Sequence, residues 1–345
     1  MRSPGSSWIA FKLMRPKPVA APINALADLA REAKNLVRAP GAPIDFDAVA
    51  RALGAAGHAS DLEQRLAARF VRPVAARAFA ARIEATAAAL KALGVRSGGV
   101  CVVSALADPE TLAGVAAAGL KAWLVDVDPF SAMFDTDHLR ERLPEAPGPL
   151  EAIVPAAAHG RAPDMRAWAA FRDETGLPIL VDAHGAFDVI IEAPVPVLVG
   201  LPGGQGVFLA CEDAVPVNAV EAAPFAGDDG LAAWPGLRQR LCGVAQQLRV
   251  LLLDSGVGFQ PGWGMSWVSP VCALSLPTDD AGAVAWKLQA AGVPASCAVR
   301  DRTLAADETP NADHLAASTV VVNLDPGLDI EGLDRLCDAL RDAVV

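Results

Sequence analysis

What most constrains this chain is an alternation that runs from residue 100 to residue 211. Short apolar runs stand at 100–104, 123–128, 150–156, 179–182, 196–199 and 207–211; segments with helical signals separate the first four, and a Gly-rich segment separates the last two. Asp108-Pro109 opens one helix, which stops at Gly119. Thr136 opens another, ending near Leu143, and Asp164 opens a third, closed by Gly176. Strands that read as near-continuous apolar runs are buried on both faces, and parallel neighbours need crossovers long enough to hold a helix. The pattern therefore predicts an α/β domain with a mostly parallel sheet between two helical layers.

The flanks have a different texture. Residues 1–44 are rich in Pro, Ala and basic side chains and read as an N-terminal arm, with a helix over 23–37. A further helix is expected over 45–55. Ser60 and Glu63 form a capping-box pattern ahead of Leu62, Leu66 and Phe70. Residues 75–93 read as one long alanine-rich helix stopped at Gly94. Residues 45–218 thus form the large domain. After Asn218 comes a loop rich in Gly, Asp and Pro, then a helix over 237–253. Two strand–helix units follow, 268–276 with 281–290 and 318–324 with 330–344. Residues 219–345 read as a smaller α+β domain, and 345 residues are enough for two cores.

The formal net charge of −11 argues against a nucleic-acid or anionic-membrane surface, both of which need clustered Lys and Arg. No apolar run is long enough to span a bilayer, and no signal-peptide pattern is evident. The six cysteines are scattered, without a Cys-x-x-Cys pair or neighbouring His, so reduced thiols in a cytoplasmic protein are expected and a zinc site is not.

The candidate site lies in residues 177–188. A run without charge, 179–181, closes on Asp182, with His184 and Gly185 directly behind it. In open α/β sheets the carboxyl edge of the strands is where ligands bind; the plainer alternative is a solvent-facing strand end. Ser104 and His159 stand at other strand ends and are candidate pocket lining, together with Gly203, Gly204 and Gly206. The glycine-rich segment leads into a strand rather than a helix, so a hairpin or crossover turn explains it better than a phosphate loop. Asp126, Asp128, Asp135 and Asp137 could be counted as a metal cluster. Trp263 and Trp267 read as core or interface.

Several segments, in this order, resemble the DegT/DnrJ/StrS family of sugar aminotransferases. The strongest are Leu124-Val-Asp-Val-Asp-Pro129 with Phe134-Asp-Thr-Asp137, Ala152-Ile-Val-Pro155 with the stretch from His159 to Met165, and Gly176 to Ala183. Gly203-Gly-Gln-Gly206-Val-Phe-Leu and the stretch from His314 to Leu340 are similar to later parts of the family. The similarity covers most of residues 45–345. It implies the fold-type-I architecture of pyridoxal-phosphate enzymes, an active site formed between two subunits, and Asp182 in the place of the carboxylate that holds the pyridine nitrogen. It also implies that Asp126, Asp128, Asp135 and Asp137 are turn and capping residues instead of a metal cluster. His184 falls one residue before the family's cofactor-facing position.

Such an enzyme needs a lysine for the Schiff base. The resemblance places that lysine near Leu198 to Gly200, yet no lysine occurs between Lys121 and Lys287. Between Ala183 and Val217 there is no Ser, Thr, Asn or Lys to flank a phosphate. The family's phosphate-cradling turn aligns with residues 79–85, where continuous helix is expected, with Arg82 on an exposed face. These losses suggest a degenerate homologue without bound pyridoxal phosphate and with no catalytic residue. It would serve as a non-catalytic homodimer, or as a heterodimer partner or regulatory subunit of an active paralogue, in sugar or polysaccharide metabolism. Two other readings follow: a repurposed small-molecule or nucleotide-sugar enzyme using Asp182 and His184 without the cofactor, and a genuine aminotransferase.

Overall fold

The computed structural model describes residues 61–202, 204–220, 225, 230–297, 309–324 and 330–344. The expected helices over 23–37 and 45–55, and Ser60, lie outside them. The first elements are α1 (Asp61–Ala67), β1 (Ala75–Phe79), α2 (Arg82–Ala92), β2 (Val100–Ser104), α3 (Pro109–Ala117) and β3 (Lys121–Val125). Then come α4 (Thr136–Arg142), β4 (Leu150–Val154), α5 (Met165–Thr175), β5 (Val181–Ala183), β6 (Val197–Gly200), β7 (Val207–Cys211) and α6 (Ala214–Asn218).

These strands form one seven-stranded layer. The parallel sheet β3-β2-β4 meets the sheet β5-β6-β7-β1 through parallel bridges from Ile153 to Ile179 and from Ala156 to Asp182. Only β7 runs against its neighbours, β6 and β1. Side chains alternate across the layer. Val102, Ile153, Val181 and Val199 face a core with α1, α4 and α5, whereas Val103, Val154, Leu180 and Leu198 face one with α2 and α3. The mostly parallel α/β sheet between two helical layers is thus as expected.

Residues 75–93 are not one helix. They form β1, a bend at residues 80–81, and then α2. Alanine's high helix propensity disguises a strand that is dictated by its partner: Ala75 to Phe79 pair antiparallel with Cys211 to Val207. Ala76 and Ala78 enter one core and Phe79 the other.

The chain continues through α7 (Trp234–Leu251), β8 (Gly258–Phe259), β9 (Val271–Ser275), α8 (Ala281–Ala290), β10 (Ala295–Cys297), α9 (Pro310–Ser318), β11 (Thr319–Asn323) and α10 (Ile330–Val344). Four strands form an antiparallel sheet in the order β10-β11-β9-β8. With α7, α8 and α10 it encloses a separate core that includes Leu248, Trp263, Trp267, Leu288, Val320 and Leu336. Both tryptophans are core residues, and the Trp263 ring stacks on Phe259 at 5.7 Å. Helix α9 was not legible in the sequence. Its Ala312 packs with α2 and α3 against the large sheet rather than in the smaller core.

Candidate functional site

Asp182 stands on the short strand β5, in register with Leu198 of β6. Its neighbours Val181 and Ala183 face the core of α4 and α5, so its carboxylate faces the opposite layer, toward α2 and α3. The residue is 4% exposed. One carboxylate oxygen accepts a hydrogen bond from the Thr111 hydroxyl on α3. The other accepts the backbone N–H of His184 at 3.2 Å. Thr111 lies in the first turn of a helix capped by Asp108, whose side chain accepts the Glu110 N–H. The turn chemistry read from Asp108-Pro109 therefore delivers Thr111 to Asp182.

The fourth participant is Arg82, which sequence reasoning assigned to an exposed helix face. That assignment followed from the misplaced helix. Because α2 begins at Arg82, the residue sits in the first turn, beneath the carboxyl edge of the sheet, with its side chain 8% exposed. Its guanidinium pairs with Asp108 at 2.5 Å and with Glu110 at 2.9 Å, and Nε donates to Glu110 at 3.0 Å. Nη1 stands 4.0 Å from Asp182. Burial pulls the guanidinium pKa down, but the Asp182 and Asp108 carboxylates and Glu110 outweigh it and hold the group above its ordinary value. The helix has no side-chain cap, since its N-cap is Ala81. A helix start therefore stands where continuous helix was expected, and its first side chain is directed at the neighbouring carboxylates.

His184 follows Asp182 around the turn. Burial and the Arg82 charge lower its pKa, against the pull of Asp182 and Asp108, so the imidazole is neutral near pH 7. Its ring and carbonyl lie against Gly200, the last residue of β6. A Cβ added there would meet the His184 carbonyl oxygen at 2.6 Å and ring atoms at 2.9 Å. The stretch that resemblance assigned to a lysine is thus Leu198 in the core, Val199, and a glycine covered by an imidazole. The other lysines are elsewhere. Lys91 and Lys121 are exposed, Lys287 donates to the Ala343 carbonyl at 3.1 Å, and Lys12, Lys17 and Lys34 lie outside the described residues.

His159 occupies a neighbouring loop at the end of β4, with a left-handed backbone (φ 51°). Desolvation pushes its pKa down to about 4. The backbones of Gly160 and Gly185 touch, since a Cβ on Gly160 would lie 2.6 Å from the Gly185 carbonyl oxygen. The loops carrying His159 and His184 are thereby packed together. Ser104, at the end of β2, is buried and accepts the Leu106 N–H at 3.2 Å. Gly204 and Gly206 lie in the connection between antiparallel β6 and β7, so of the two turns expected, hairpin or crossover, it is the hairpin. Gly206 approaches the Phe79 carbonyl, and Gly203 lies outside the described residues.

The four aspartates also have structural partners. Asp126 accepts the N–H groups of Asn311 and Ala312 at 3.0 and 2.8 Å, capping α9. Asp128 accepts those of Phe130 and Ser131, and Asp135 caps α4. Asp137 pairs with Arg140 at 2.5 Å.

Residues 52–192 match the model of the DegT/DnrJ/EryC1/StrS aminotransferase family. No curated protein matches the chain in sequence. Solved structures share its fold at low identity. Helicobacter pylori PseC, an aminotransferase involved in the biosynthesis of pseudoaminic acid, superposes with a TM-score of 0.70 at 11% identity, covering 88% of this chain and 97% of that one. 3-Amino-5-hydroxybenzoic acid synthase gives 0.67 at 19% identity, over 89% and 98%. A DegT/DnrJ/EryC1/StrS aminotransferase from Brucella abortus gives 0.66 at 17% identity, over 92% and 97%. Among the described residues, no helix is long and apolar enough to cross a membrane.

Proposed function

From a chain whose residues 52–192 match the DegT/DnrJ/EryC1/StrS aminotransferase family and whose fold is that of those enzymes, we propose a homologue that does not transaminate. In this reading it is a non-catalytic dimer partner or regulatory subunit in sugar or polysaccharide metabolism. The observation that carries it is the end of β6, where Gly200 lies under the His184 ring and, among the described residues, no lysine amine is present. Pyridoxal phosphate, which the family implies, does not fit this set of donors. A Schiff base needs a lysine, and the carboxylate placed for the ring nitrogen already has Thr111, the His184 N–H and the Arg82 charge around it.

Titration of the purified protein with pyridoxal phosphate, followed by visible absorbance, tests the loss of chemistry. The spectrum of the mixture is expected to be the sum of its parts; a new band that persists on desalting would return the chain to the aminotransferases. Co-purification from the native cell tests the subunit role. An aminotransferase paralogue is expected in the same complex, and recovery of a homodimer alone would remove the heterodimer.

One observation favours a second reading, in which Asp182 and His184 work without the cofactor. They are a neutral imidazole and a carboxylate on one turn, suited to moving a proton. Against it stands the packing: the His184 ring is turned onto Gly200 and the carboxylate onto Thr111.

A further inference from the structure

The buried polar groups that the proposed function leaves unused converge on Arg82. It is one cation among three carboxylates of two different kinds. Asp108 and Glu110 are about half exposed, with side-chain exposures of 48% and 56%, and would remain hydrated without it. Asp182, with its side chain 5% exposed, would not. Thr111 and the His184 N–H each give Asp182 one hydrogen bond, but both are neutral donors, and His184 itself is held neutral. A carboxylate this deeply buried needs a positive charge nearby or else takes up a proton. Among the described residues, Arg82 is the cation that stands beside it, at 4.0 Å.

We propose that Arg82 is the resident cation of this site: its guanidinium, fixed by Asp108 and Glu110, occupies the place beside Asp182 that an incoming cationic ligand would need, so that the site is closed by the chain itself. This deepens the reading of a homologue that holds no cofactor, and rests on it. It also changes the sense of that reading, because the pocket is then refilled rather than merely depleted. The chemistry defines the ligand class that would replace Arg82: a planar, delocalised cation with several N–H donors, one edge turned to two hydrated carboxylates and the other to a buried one.

The test uses the full-length protein and thermal unfolding. Arg82→Gly is expected to lower the midpoint, and methylguanidinium, at concentrations too low to affect the wild type, is expected to recover part of the loss. Tetramethylammonium, which has no N–H donor, is expected not to. Adding Asp182→Asn to Arg82→Gly removes the orphaned charge and should raise the midpoint of the single variant. A folded Arg82→Gly protein that methylguanidinium leaves unmoved, or a double variant less stable than Arg82→Gly, would overturn the proposal.

If Arg82→Gly does not fold, two measurements on folded protein decide. Neither pyridoxal phosphate nor inorganic phosphate should raise the wild-type midpoint, since Arg82 is already committed; stabilisation by either would show it to be an anion ligand instead. In Asp182→Asn, the His184 midpoint measured by NMR should fall, because Asp182 raises it; an unmoved midpoint would separate the two groups and sink the idea. A paralogue that fails to co-purify removes the subunit role and leaves these results unchanged. Cofactor binding by the wild type would remove both.

Discussion

One added carbon at Gly200 would lie 2.6 Å from the His184 carbonyl oxygen and 2.9 Å from its ring, well inside van der Waals contact. Gly200→Ala is therefore expected to cost about 1–3 kcal/mol, read by urea denaturation. Because one of the opposing atoms is backbone, adding His184→Ala should recover only part of that loss. For the same reason Gly200→Lys should destabilise the fold and is no simple restoration of an amine. His159 gives a prediction in pH. Its folded pKa is about 4, against about 6.5 in an unfolded chain. Between those values the unfolded state binds the extra proton, so stability is undiminished above the window and falls as pH drops through it. The loss is about 3 kcal/mol at most by pH 4, and less insofar as water reaches the ring. His184 shifts in the same direction and adds to it. His159→Gln should flatten the stability profile between about pH 6.5 and 4, measured by denaturation at several pH values. Asp182 was legible at this scale because a carboxylate ending an apolar run is a local signal. The role of Arg82 was not, because it depends on where its helix begins.

At the scale of elements, the strands of the parallel sheet were readable wherever both faces are buried, since burial on two sides writes a continuous apolar run. Strand β7 (Val207–Cys211) and helices α8 (Ala281–Ala290) and α10 (Ile330–Val344) match the expected limits. Strand β1 failed the same reading. Three of its five residues are alanines, and its conformation is imposed by pairing with β7 more than one hundred residues later. Helix α9 was missed, and the carboxylate that caps it, Asp126, comes from the end of a strand far earlier in the chain. Thr309-Pro310 stands ahead of the helix as a start signal, but the Thr309 side chain makes no cap hydrogen bond, and the capping comes from a distance. Asp126→Ala should cost about 1–2 kcal/mol, and Asp126→Asn, which keeps an acceptor, should cost less. Chemical denaturation of the two variants side by side checks this ordering.

For the whole molecule, the stretch that carries Asp182 also joins the two cores. Asp188 accepts from Arg238 of α7 at 2.5 Å and from the Val268 N–H at 3.0 Å. Val189 and Trp234 pack against both cores. Asp188→Ala should uncouple them, with one calorimetric transition separating into two, the smaller core melting first. The order of apolar runs that builds the parallel sheet was legible from texture alone. That a helix from the later part of the chain completes the earlier core was not.

That helix has a consequence in time. Asp126 and Asn311 are 185 residues apart, and Ala312, fully buried, fills a place between α2, α3 and the sheet. While the chain is being made, its first unit leaves the ribosome with that place open and the Asp126 carboxylate not yet matched to the two backbone N–H donors of α9. The last contact of the first unit thus waits for the second to be almost complete. A nascent chain halted before residue 309 should expose apolar surface between α2 and α3, and an unfinished copy would remain recognisable to chaperones until its end is in place.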